Sequence, residues 1–471
     1  MTMASDHPTR ETLDRFLQGG LSDGEAEEVT THLAGGPCLA CVLAAHELLA
    51  AAEEDMGELL HHFQNLILAR RLGGPVSEDE SDEAIRGALR IGERLVALLD
   101  AELALAPALL AELEARPPAG RRDAVRAGRR FRLYGLAQHL AEASREEAFR
   151  DPARCLELAE LAVAVAEALD PHVYFAGAGA DQAAYAHACL GNARRIVGDL
   201  RGAECAFRGA ARLLDPDQPL APEMPDVRSL LGSLRIDQCR YPEAREVLGR
   251  ARRDFRQLED PVGEARVLLQ LATLEGYDGQ PEKEIRALEQ ALPLVKEAGE
   301  EHLVAWTQHN LAYSLVDAGE PLEALARFQK NEALFGRHFQ EPALRLRVRW
   351  LEGKIYAGLG DLALARTALE EVRATAAERE LPYELAMVSL ELAVVHLRAG
   401  ELARVQDLAE ELVLVFASQE LHRHALGALY LFRQAARAQT ASVGLLEEML
   451  RYLRRTRNNP NVRFEPSARW G

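Results

Sequence analysis

Four residues near the N-terminus have the types and spacing to hold a metal ion: Cys38 and Cys41 as a C-x-x-C pair, His32 just upstream, and His7 ahead of the first helical pattern. Two thiolates one helical turn apart can both face an ion at about 2.3 Å, and a histidine at the end of the preceding helix adds a third donor. His7 can come back as the fourth. A closed His2Cys2 set is structural, because a catalytic zinc keeps one position free for water. The expectation is one structural Zn2+ on His7, His32, Cys38 and Cys41. Plainer readings stand beside it: the cysteines as small core residues, and His32 as a helix-end cap near the dipole. His46, His61 and His62 are spare imidazoles that can replace His7. A redox role, with Cys38 and Cys41 joining as the ion leaves, is also chemically open.

The elements that must position these ligands are two short helices and a turn. Leu13, Phe16, Leu17 and Leu21 form one apolar stripe. Ser22 followed by Glu25 is a capping box opening a second helix, on which Val29 and Leu33 point inward and His32 comes last. Gly35, Gly36 and Pro37 then turn the chain into a third helix that starts at the cysteines. Residues 1–60 hold 12 Asp or Glu and only 2 Arg. Such a surface repels phosphate and suits a basic protein partner.

Residues 1–72 resemble the zinc-finger domain of bacterial anti-sigma factors. His7, His32, Cys38 and Cys41 carry the likeness, with Leu13, Phe16, Leu17, Glu25, Val29 and Leu33. The family pattern is H-x3-C-x2-C, whereas this chain has H-x5-C, with the two glycines and the proline in the enlarged turn. The resemblance implies a small helical domain that wraps a sigma factor, or a similar basic regulator, and keeps it from RNA polymerase.

The rest of the chain is organised around Tyr185 to Pro216. There Leu190-Gly191 mark a helix crossing, Gly198 a turn, and Ala203, Phe207 and Ala210 one face of a second helix at i, i+4, i+7. The pattern returns through Leu231-Gly232 and Tyr241, Leu271 and Gly279, Leu311-Ala312 and Gly319, Gly353 and Gly360, and Leu392-Ala393 and Gly400. A first hairpin is expected over Val125–Ala143 and Ala153–Leu169, and a drifting, capping pair over Ala425–Ala438 and Val443–Leu453. These registers resemble tetratricopeptide repeats. The implied fold is all-α: an N-terminal helical zinc finger, an acidic linker at 73–83, connecting helices at 84–120, a right-handed α-solenoid of about eight hairpins at 121–457, and a basic tail at 458–471. Tetratricopeptide groove positions fall on Asn192, Arg195, His309, Tyr313, Trp350 and Lys354, which the resemblance assigns to a peptide or partner helix. Read from the residues alone, Trp350 and Tyr313 serve equally as core fillers between repeats.

A net charge of −19 disfavours nucleic acid and anionic lipid as partners. The seven arginines of Arg116–Arg132 stand out against it, as a contact for an acidic partner or as a solvated helix face. The arginines from Arg451 onward read as an exposed helix end and tail. Cys155, Cys189, Cys205 and Cys239 read as small buried helical residues. With no secretory leader and no membrane span, the chain is expected to be cytoplasmic. No catalytic constellation is legible: there is no phosphate-cradling glycine loop, no G-x-S-x-G, and no His-Glu pair spaced for a metallohydrolase. The sequence therefore describes a non-enzymatic regulator or scaffold, or else an adaptor recruiting an effector enzyme such as a protease, with the finger only structural.

Overall fold

Every element among the described residues is a helix, and the fold is set by how these helices cover one another's apolar stripes. The computed structural model describes residues 7–35, 38–51, 82–148, 150–174, 176–214, 224–418, 423–456 and 463–464. His61, His62, most of the 73–83 linker and the tail apart from Arg463 and Phe464 lie outside them. Two compact units divide the chain, Met1–Leu230 and Leu231–Gly471.

The first unit opens with α1 (Arg10–Leu17), α2 (Asp23–Gly35) and α3 (Leu39–Ala51). At the start of α2, Glu25 accepts hydrogen bonds from the Ser22 backbone N–H at 2.9 Å and from its hydroxyl at 2.7 Å, the capping box read from the sequence. Leu13, Phe16, Leu17, Leu21, Val29 and Leu33 are all buried. The long helix α4 (Asp82–Glu114) packs on all three short ones, with Arg94 over the Phe16 ring.

α5 (Pro118–Ala127) and a single turn at Arg129–Phe131 follow. The first hairpin is α6 (Tyr134–Glu147) with α7 (Pro152–Ala166), and it begins nine residues later than expected from Val125. Gly128 takes an extended conformation (φ −115°, ψ 112°), which ends α5 and leaves Val125 in a separate helix. α6 crosses α4 at Gly135, where an added Cβ would stand 2.5 Å from the Leu103 backbone nitrogen; only glycine admits that approach. The arginine run is taken up locally: Arg121 pairs with Glu157, Arg122 with Glu160 and Arg130 with Glu112. After α8 (Pro171–Tyr174), α9 (Ala176–Ile196) and α10 (Leu200–Leu213) form the hairpin that organised the sequence. Ala203, Phe207 and Ala210 are buried as expected, and a Cβ on Gly191 would lie 2.6 Å from the Phe207 ring.

α11 (Met224–Asp237) contains the division between units and pairs with α12 (Tyr241–Gln257). Four hairpins follow: α13 (Pro261–Tyr277) with α14 (Pro281–Glu297), α15 (Glu301–Asp317) with α16 (Pro321–His338), α17 (Pro342–Leu359) with α18 (Leu362–Glu378), and α19 (Pro382–Arg398) with α20 (Leu402–Ser418). α21 (Arg423–Arg437) and α22 (Val443–Thr456) are the last helices among the described residues. The turns inside the hairpins use one left-handed residue: Gly279, Gly319, Gly360 and Gly400 at φ between 74° and 83°, with Cys239 in the same role at φ 58°. Cys239 is thus a turn residue, and Cys205 is exposed; Cys155 and Cys189 are the buried pair of the four. No helix among the described residues is long and apolar enough to cross a membrane.

Gly319 has no atom within 4 Å of an added Cβ, so replacing it tests backbone strain alone. Gly319→Ala is expected to lower unfolding free energy by about 1 kcal/mol in urea titrations, the left-handed penalty of an L residue.

Candidate functional site

The N-terminal ligands converge. His7 Nδ1 lies 3.5 Å from both Cys38 Sγ and Cys41 Sγ, and His32 Nε2 lies 3.4 Å from Cys41 Sγ. All four donor atoms fall within 4.8 Å of one another, and the two imidazoles meet edge to face at 5.2 Å. His32 comes from the last turn of α2, Cys41 from the first turn of α3, and Cys38 stands just before it. The longer H-x5-C spacing does not keep His32 away from Cys41. Burial, together with the neighbouring Cys38 sulfur, pushes the Cys41 thiol up to about 11. The His2Cys2 cluster can hold a metal ion.

His46 is not a spare ligand. Its Nε2 sits 2.8 Å from Glu102 Oε1, which also accepts from the Tyr174 hydroxyl at 3.0 Å; Glu102 Oε2 accepts from the Gly135 backbone N–H at 3.0 Å. Glu102 is fully buried, and burial beside its carboxylate holds the Tyr174 hydroxyl well above the usual tyrosine range. This network ties α3 to α4, α6 and α8. Its members are 33 to 128 residues apart, so no sequence spacing betrays it.

Of the six groove candidates, Lys354 lines a cleft of about 280 Å3 in the second unit together with Glu284, Asp317 and Glu391, while Tyr313 and Trp350 pack behind it, against Lys354 and Glu391 respectively. Lys354 Nζ lies 3.9 Å from the Tyr313 ring centroid and donates to Asp317 Oδ1 at 2.8 Å. Trp350 Nε1 donates to Glu391. His309 is elsewhere: it is buried against Trp306, Phe335 and Phe339, where loss of hydration lowers it to about 4. Asn192 and Arg195 bond to each other on α9 in the first unit, at 2.9 and 3.1 Å.

A residue read as part of an exposed basic end completes the cleft. Arg454 of α22 donates to Asp317 Oδ2 at 3.0 Å, lies 3.6 Å from Glu391 Oε1, and stacks 5.0 Å from the Tyr313 centroid. Burial raises Asp317, but Lys354 and Arg454 bring it down to about 2. Glu284 goes the other way: burial pushes it up to about 7, with Asp317 adding to the rise, while a Ser314 hydrogen bond and the two cations oppose it.

The comparisons agree with this architecture. Residues 223–297, which span α11 to α14, match the tetratricopeptide repeat family. A Rap protein complexed with competence and sporulation factor superposes with a TM-score of 0.52 at 12% identity, covering 68% of this chain and 88% of that one, which establishes the helical-repeat fold. Aspartyl phosphate phosphatase F from Bacillus subtilis aligns at a TM-score of 0.48 and 12% identity, over 88% of this chain and 96% of its own. A signal-transduction ATPase with a tetratricopeptide repeat sensor from Pyrococcus horikoshii aligns at 0.48 and 11%, over 94% and 71%. No curated protein shows significant similarity to the chain. The described residues thus form an all-helical fold of the helical-repeat type, with tetratricopeptide repeat similarity over residues 223–297.

Two outcomes follow from these centres. Glu102→Ala strips a buried carboxylate from His46 and the Gly135 N–H and is expected to cost about 3 kcal/mol in chemical unfolding. Glu284 binds its proton more tightly folded than unfolded, so the stability it adds is complete below its ordinary value of 4.5 and is lost as pH rises through about 7. Melting temperatures of the wild type should therefore fall more steeply between about pH 5 and 8 than those of Glu284→Gln, and parallel curves would contradict this.

Proposed function

We propose that this chain is a non-enzymatic, cytoplasmic regulatory scaffold. Its second unit holds a protein segment in the Asp317–Lys354 cleft, and its N-terminal helices, loaded with one structural zinc, hold a second protein. The observation that carries the reading is the cleft itself. Its lining brings Lys354, Arg398 and three carboxylates together from several hairpins beside the apolar Val316, Leu369 and Val394, the mixture that grips a cationic, amphipathic peptide.

Zinc is the ion the donor set suits. A tetrahedral zinc with bonds of about 2.3 Å to sulfur and 2.0 Å to nitrogen places adjacent ligand atoms about 3.6 Å apart. The observed sulfur–nitrogen separations are 3.4 and 3.5 Å. Four protein donors close the coordination shell, so the ion would shape α1 to α3 and leave no position for a reacting water. The acidic surface around it suits a basic regulator, a sigma factor by the anti-sigma resemblance.

One observation favours a second reading. The buried His46–Glu102–Tyr174 network and the packing of α4 fix α3 within the first unit. A finger so anchored can act as an N-terminal cap for an adaptor whose array recruits an effector enzyme.

Metal analysis of the purified full chain is expected to give one zinc per molecule, lost in His32→Ala and in Cys38→Ser; stoichiometric zinc in both variants would exclude this ligand set. Affinity capture from the host with the same proteins separates the readings. Loss of a basic transcription regulator with the metal supports the first, and a partner enzyme retained by both variants supports the second.

A further inference from the structure

We propose that α22 is an intramolecular ligand of the groove formed by α13, α15, α17 and α19, and that the groove's external partner is a basic amphipathic helix that takes its place. This rests on the reading above that the cleft holds a protein segment.

Chain order makes α22 the second helix of the last hairpin, so it should lie mainly on α21. Instead it turns away after the left-handed Gln439 and lies across α19, reaching α13. Leu446, Met449, Leu450 and Leu453 recur at i, i+3, i+4 and i+7, and all four are buried. The stripe thus faces the repeats. Beyond it, Arg454 bonds Asp317, 137 residues earlier in the chain, and reaches Glu391 and the Tyr313 ring, while Arg455 lies 5.7 Å from the Tyr241 ring centroid. Three elements of the array, α12, α15 and α19, are therefore contacted by two adjacent arginines.

Charge explains why the helix must be basic. Without α22 the cleft opposes two cations, Lys354 and Arg398, to three carboxylates, Glu284, Asp317 and Glu391. Arg454 supplies the missing positive charge from the occupant's side. An external helix must repeat that chemistry: a Leu/Met stripe, with an arginine directly after its last leucine. Because α22 is tethered, its effective concentration is of millimolar order, so a competitor succeeds only by binding the groove better than α22 does. The device sets a threshold: weak or acidic helices are refused, and a matching one opens the groove.

The probe is a labelled synthetic peptide of residues 442–456, titrated by fluorescence anisotropy into the full chain. The wild type is expected to bind it weakly. Arg454→Glu, which repels its own helix from Asp317 and Glu391, is expected to bind it at least ten-fold more tightly, and the gain is expected to vanish when Asp317→Arg is added. A folded Arg454→Glu chain, verified by circular dichroism, with no gain in affinity would overturn the proposal. Should that variant not fold, hydrogen exchange on the wild type decides. Excess peptide should speed exchange of the α22 amides, and unchanged protection overturns the proposal. The titration reads α22 alone, so its failure leaves the host-capture experiment, and the scaffold reading, standing.

Discussion

A helix with a single apolar stripe cannot bury it alone, and every repeat of this chain is made of such helices. Phe207 fills the space left by Gly191 within one hairpin, and Phe335 and Phe339 stack between neighbouring hairpins at 5.7 Å. Core formation is therefore sequential: each pair is completed by the next, and the chain must do something with the last exposed face. Folding α22 back across the earlier first helices is its solution. The same constraint operates at the front, where α1 to α3 are too small to enclose a core and rely on α4 to cover it.

Much of the repeat architecture was legible because it depends on local signals. Left-handed turns need Gly319 or its counterparts, close crossings need Gly191, and the stripe Ala203, Phe207, Ala210 states a helical face directly. The His2Cys2 cluster was legible for the same reason: three of its four members lie within ten residues, and helix geometry aims them together. Long-range pairing was not. Arg454 looks like one more residue of a basic tail until the fold carries it to Asp317, and His46 looks like a spare ligand until Glu102 claims it. The first hairpin began late because the extended Gly128 breaks a periodic pattern that runs on past it. His309 failed as a groove residue because a helical register names a face, while the bulk of Trp306, Phe335 and Phe339 decides which side of that face is solvent.

Both polar centres follow one rule. Groups costly to bury are grouped so that each supplies what its neighbour lacks, and the groups come from distant parts of the chain. Glu102 gathers a ring nitrogen, a hydroxyl and a backbone N–H; Asp317 gathers an ammonium and a guanidinium. In the first unit such a centre fixes the metal-ligating helices in place. In the second it joins Arg454 to the buried stripe of α22 in closing the groove, so an intruding helix of the right charge can compete.

The most direct test of this account is partner capture by a full chain in which an introduced disulfide ties α22 to α19. With the bond oxidised the groove should stay closed and capture nothing, and reduction should restore capture to the wild-type level. Equal capture in the two states would mean that partners bind elsewhere and that α22 guards nothing.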